Sequence, residues 1–143
     1  MAPLKFLNGL KASPLANFWR LERHEIPASP GVYLLVARSG VRFMYPAGES
    51  PVYYVGQTRN LRKRLVGHLN WHSKARDNNR LPYFLLEPRH EYGGRYGGRY
   101  CFIRTRRGLT PKELEDEVLA CFARRYRAFP VANGAGAWNR IEK

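Results

Sequence analysis

The sequence predicts an α+β domain with a small, mostly antiparallel three-stranded sheet flanked by helices. Three β-rich runs, GVYLLVA (31–37), PVYYVG (51–56) and CFIRT (101–105), are bounded by glycine and proline punctuation. Helical periodicities over 60–71 and 110–126 follow the second and third runs closely. Short connections between neighbouring strands favour a sheet with helices packed against it. The 143 residues are 44% hydrophobic and 13% aromatic, enough for one globular core and too few for two.

In chain order, residues 1–27 form an N-terminal extension with a helical possibility over 15–23 (LANFWRLER). IPASPG breaks the chain before the first strand. SG and PAGESP flank VRFMY, so the stretch from 37 to 51 reads as an elongated hairpin. In the helix over 60–71, Leu61, Leu65 and Leu69 make one apolar stripe, while Arg59, Lys63 and Asn70 fall on the far side. Arg64 and His68 are i,i+4 neighbours on the flank of that stripe, where a side chain can line a cleft. WHSKARDNNRLP reads as a polar connector and YFLLE as a short strand. HEYGGRYGGRY carries YGGR twice and reads as a turn-rich loop with solvated arginines, or as a basic grip. The helix over 110–126 has a capping Thr110, Pro111 in its first turn and acids at its N-terminal end. FPVANGAGAWNRIEK closes the chain as loop, with 136–143 as a tail.

Charge narrows the partners. Lys and Arg number 25 against 11 Asp and Glu, a net +14. Nucleic acid is the polyanion that best answers such a surface, and no long apolar span argues for a membrane. Cys101 and Cys121 sit in no CxxC pair and read as reduced thiols. The N-terminus lacks the apolar core of a signal peptide, so the expected location is the cytoplasm. His24, His72 and His90 show no metal-ligand spacing and read as surface or loop residues.

GVY at 31–33, YVG at 54–56, the basic helix after YVGQT and the acid-bearing late helix together resemble the GIY-YIG nuclease superfamily over residues 28–135. Position by position, Tyr33 matches the tyrosine of the first motif and Tyr54 that of the second. Arg64, ten residues after Tyr54, matches the family's key arginine, and His68 matches a histidine found in several members. Glu113, Glu115, Asp116 and Glu117 all crowd the late helix. The family's apolar residues three, four and seven places on fit Glu115, through Val118, Leu119 and Phe122; Glu117 lies on the other edge of the apolar sector. Pro130–Asn133 reproduces a closing Pro-x-x-Asn element, though Asn133 lies further from Glu115 than is usual, and Asn139 after Trp138 is the alternative.

The resemblance implies a metal-dependent endonuclease that hydrolyses DNA phosphodiester bonds, leaving 5′-phosphate and 3′-hydroxyl ends. Glu115 would hold one Mg²⁺ or Mn²⁺ with waters and a phosphate oxygen. Tyr33 would act as general base, Arg64 would clamp the phosphate, Tyr54 would orient phosphate or water, and His68 would assist proton transfer. Arg59, Arg62, Lys63, Arg95 and Arg99 would grip the backbone, with Tyr92, Tyr96 and Tyr100 stacking on unpaired bases. Specificity would come from the hairpin, the YGGR segment or a protein partner. The alternative is a non-cleaving nucleic-acid-binding module on a nuclease-like fold. A delivered nuclease toxin is a third role for the same chemistry.

Overall fold

A computed structural model describes residues 3–77 and 87–133. At its centre is strand β2 (Gly31–Ala37), in which all seven residues are buried. A strand without polar alternation needs cover on both faces, and it has it. Before it lies β1 (Ala16–Asn17); after it come β3 (Phe43–Tyr45), β4 (Gly48–Ser50), β5 (Val52–Thr58) and β6 (Gly97–Arg104). Among the described residues three α-helices pack around these strands: α1 (Leu61–Asp77), α2 (Pro88–Tyr96) and α3 (Pro111–Tyr126). The main sheet runs β1-β6-β2-β5 with every pairing antiparallel.

The α+β architecture is therefore as expected, but the sheet has four strands rather than three. The extra strand comes from the N-terminal extension: Ala16 and Asn17 pair with Tyr100 and Arg99 of β6. A helix over 15–23 does not form. The Asn17 side-chain oxygen accepts from the backbone N–H of Trp19 and of Arg20, a local bond that competes with a helical ladder. The extension also supplies Phe6, Leu7 and Phe18 to the interior. The expected hairpin between 37 and 51 is present as a separate two-stranded sheet, β3 with β4.

Alternation along β2 sorts the core into two halves. Val32, Leu34 and Val36 face α3 through Leu114, Val118 and Phe122, with Phe6 and Leu7 closing that side. Tyr33 and Leu35 face the other way, toward Tyr53, Leu61 and Leu65 beneath α1. The result is three layers, with α3 on one face of the sheet and α1 on the other.

Helix α1 runs six residues beyond the expected Trp71, so the start of the polar connector is helical. Its buried positions are Leu61, Leu65, His68 and His72. The core-facing period of four, three and four is thus continued by two histidines, which a count of apolar residues misses.

The YGGR repeat is not a loop. The first copy lies in α2 and the second opens β6. A Cβ on Gly93 would stand 1.7 Å from His72 Cδ2, and one on Gly94 would stand 2.8 Å from the Ala75 Cβ. Those glycines let two helix backbones approach closely, which offsets their poor helix propensity. Of the expected YFLLE strand, Glu87 is the N-cap of α2, and 83–86 lie outside the described residues.

Helix α3 starts as expected. Thr110 and Glu113 form a reciprocal capping box and Pro111 occupies the first turn. Arg127 closes the helix in the left-handed conformation. Trp138, Asn139 and the tail from 136 onward lie outside the described residues. Among the described residues no helix is long and apolar enough to cross a membrane.

Candidate active site

Tyr33 sits at the middle of the central strand, opposite Gly56 of β5 and Phe102 of β6. Its ring lies across Gly56: a Cβ there would meet the phenol oxygen at 2.3 Å. The glycine of YVG therefore clears the space that the tyrosine of GVY occupies. From α1, His68 Nε2 approaches the Tyr33 hydroxyl at 2.8 Å. Tyr54, two residues before Gly56, lies on the same face, its ring 6.0 Å from that of Tyr33 and 6.0 Å from that of His68. Two strands and one helix thus bring Tyr33, Tyr54 and His68 together.

Of the three, His68 lines a cleft of about 610 Å³ whose wall also includes Arg59, Lys63, Arg64, Arg89 and His90, while Tyr33 and Tyr54 are not among its lining residues. No carboxylate among the described residues lines it, and none pairs with Arg59, Lys63 or Arg64. An open, cationic, acid-free concavity is built to receive an anion. Arg89, from the first turn of α2, lies over the Tyr54 ring at 5.5 Å. Nothing in the sequence singles it out, because it stands between an apolar run and a glycine repeat. Only the close approach of α2 to α1 brings it to the cleft.

Burial sets the protonation states. Tyr33 is 1% exposed. Its phenol is pushed far above the ordinary range by desolvation first and then by neighbouring Tyr54, with Arg64 and Arg89 pulling the other way. It is a neutral phenol at rest. His68 is pushed down to about 2 by burial, reinforced by His72, His90 and the two arginines. His72 falls to about 3 and His90 to about 4, again chiefly through burial. All three imidazoles are neutral at physiological pH.

This overturns the reading of His72 and His90 as surface or loop residues: His72 is 0% exposed and His90 is 7% exposed. His72 Nε2 stands 3.1 Å from the Tyr53 hydroxyl, and its Nδ1 lies 3.5 Å from His90 Nδ1. The i,i+4 spacing of His68 and His72 on a helix face was the available sign. His24 is exposed, as expected.

The remaining expected residues fall elsewhere. Glu115 lies on α3, on the sheet face opposite α1; its side chain is 14% exposed, and one carboxylate oxygen takes a Lys112 ammonium at 3.1 Å. It is not among the cleft-lining residues. Asn133 uses both ends of its amide on β5, accepting from the Val55 N–H at 3.1 Å and donating to the Val55 carbonyl at 2.9 Å. It closes the outer edge of the sheet there.

Arg62 donates to the Ile26 carbonyl at 2.8 Å, and Arg99 donates to the Ala37 carbonyl at 2.8 Å. Arg95 pairs with Glu91 on α2. None of the three lines the cleft. Tyr100 is 2% exposed and cannot stack on a base, while Tyr92 and Tyr96 pack against Phe43. The exposed aromatic at the cleft is Trp71, 42% exposed and stacked on His90.

No family model, no curated protein and no solved structure matches the chain.

Proposed function

We propose that the chain is a phosphodiester hydrolase acting on DNA through the cleft between β5, α1 and α2. The observation that carries this reading is the contact of Tyr33 and Tyr54 with His68, which lines, together with Arg64 and Arg89, a cleft with no carboxylate among its described lining residues. Arg64 and Arg89 hold the scissile phosphate, guanidinium groups being permanently charged and suited to paired bonds with phosphate oxygens. Tyr33 first loses its phenol proton to solvent, and the resulting phenolate takes the proton of the attacking water. The His68 Nε2–H, donated to the phenol oxygen, and the nearby guanidiniums stabilise the phenolate that does so. Tyr54 orients the phosphate. Lys63 and Arg59 extend the grip along the backbone, and Trp71 offers a face to an unpaired base.

The resemblance to GIY-YIG nucleases adds a hard divalent cation at Glu115. The largely buried Glu115 carboxylate, which takes the Lys112 ammonium, would hold a Mg²⁺ or Mn²⁺ ion that keeps most of its waters. Such an ion would supply charge neutralisation and an acidified water on the α3 side of the sheet, away from the residues that line the cleft.

A second reading, a nucleic-acid-binding module that does not cut, is favoured by one observation: the cleft wall carries no carboxylate. Incubation of supercoiled plasmid with purified protein and Mg²⁺ separates the two. Hydrolysis predicts open-circular and linear products, lost in Tyr33→Phe, Arg64→Ala and Arg89→Ala variants that retain the native circular-dichroism spectrum. A salt-sensitive gel shift with intact plasmid under Mg²⁺ and Mn²⁺ supports the binding module instead. Cleavage that persists unchanged in all three variants refutes the site assignment.

A further inference from the structure

Beneath the cleft, α1 and α2 place three buried imidazoles in one cluster, with a possible ligand nitrogen from each lying within 4.8 Å of the others. We propose that His68, His72 and His90 form a binding site for a borderline-soft divalent cation of the zinc class, with a fourth coordination position open to the cleft. This goes beyond the phosphodiesterase reading and does not depend on it.

Four observations carry the proposal. First, the geometry is close to that of a metal centre. His72 Nδ1 and His90 Nδ1 are 3.5 Å apart. Two imidazoles on a zinc ion with bonds of 2.0–2.1 Å bring their nitrogens to about 3.4 Å.

Second, the outer nitrogens already have partners of the kind that metal-bound histidines use. His68 Nε2 meets the Tyr33 hydroxyl at 2.8 Å and His72 Nε2 meets the Tyr53 hydroxyl at 3.1 Å. With the Nε2–H of each ring donated to its tyrosine hydroxyl, each Nδ1 carries a lone pair.

Third, His68 Nδ1 is buried without a hydrogen-bond partner. A proton shared between His72 and His90 would satisfy those two and leave His68 unexplained. A cation satisfies all three.

Fourth, the donor set is selective. Three neutral imidazoles suit zinc and its transition-metal neighbours and offer nothing to a hard ion such as Mg²⁺. Burial supplies the neutral state, since each of the three is depressed well below its ordinary range.

His68 and His90 also line the cleft, so the side of the ion away from His72 faces the space where an anion would bind. Arg89 acts electrostatically on all three imidazoles; it pairs with Glu87 and lies over Tyr54. His68 and His72 are one turn apart on α1 and His90 is on α2, so the ion would also pin the two helices together.

The test is titration of metal-stripped protein with Co²⁺, read by visible absorption, and with Zn²⁺, read by calorimetry. The proposal predicts one ion per chain, the strong d–d bands of four-coordinate Co²⁺, and no displacement by excess Mg²⁺. His90→Asn, with an unchanged circular-dichroism spectrum, loses that site. Should His90→Asn perturb the fold, Tyr53→Phe keeps the ring and removes only the bond to His72; it is predicted to weaken Zn²⁺ binding about tenfold. A weak octahedral Co²⁺ spectrum, no saturable binding, or affinity equal to wild type in a folded variant overturns the proposal.

Discussion

Arg64 and Arg62 lie two positions apart in the same basic run, yet their surroundings differ. Arg62 is tied to the Ile26 carbonyl, whereas Arg64 lines the cleft. Charge counting treats them alike; contacts do not. Asn133 makes the same point. The resemblance marks it as part of the reaction, but both ends of its amide are bound to Val55 on the exposed edge of β5. Asn133→Ala should therefore act on stability, leaving a part-buried backbone N–H and carbonyl without partners, a loss of about 1–3 kcal/mol. Urea unfolding monitored by fluorescence measures it. A variant as stable as wild type would show that water replaces the amide without cost.

Among the elements, α2 is the one that most changes the picture, because it carries both Arg89 and His90 to the cleft. Its approach to α1 depends on Gly93, where any side chain would overlap His72. Gly93→Ala should push the helices apart and cost about 1–3 kcal/mol despite alanine's better helix propensity. Thermal unfolding should register a fall of several degrees, and a Tm equal to or above wild type would contradict the packing described here. At α3, Thr110→Ala removes one half of the capping box and should cost about 1 kcal/mol in urea unfolding. No loss there would mean that Glu113 and Pro111 suffice to start the helix.

Strands β2 and β5, the end of β6 and the two long helices were legible because their signals are local: β-branched and aromatic runs, a leucine stripe, a cap followed by proline. What was not legible is non-local. The identical tetrapeptide GGRY is helix at 93–96 or strand at 97–100 according to what stands beside it: His72 and Ala75 in one case, β2 in the other. The burial of His72 and His90 follows from helix-to-helix contact and leaves no local trace except the i,i+4 pair. Tyr33, Tyr54, Arg64 and His68 could be singled out because motif order and helical phase pointed to the same residues, and they do converge.

For the whole molecule, the net charge of +14 sets a background of attraction to any nucleic acid, while the cleft concentrates four cations in one place. Binding should weaken steeply with salt. Replacing Lys63 with Ala should reduce the slope of log K against log[salt] by about one unit, as removal of a single phosphate contact does. Replacing Arg95, which lies outside the cleft in a pair with Glu91, should change that slope little. Fluorescence-anisotropy titrations on one duplex at several salt concentrations measure both, and equal slopes for the two variants would show that the cleft is not the main contact.

The most direct test compares the rate of Mg²⁺-dependent plasmid cleavage by wild type, Arg64→Ala and Arg95→Ala under one set of conditions. Wild type should convert supercoiled plasmid to nicked and linear forms. Arg64→Ala should be slower by about 10²–10³, the cost of removing one charge-stabilising donor from a phosphate site. Arg95→Ala should stay within about twofold of wild type, having no part in the cleft. Intact plasmid with wild-type protein, or equal losses in the two arginine variants, would contradict the assignment of the cleft as the catalytic centre.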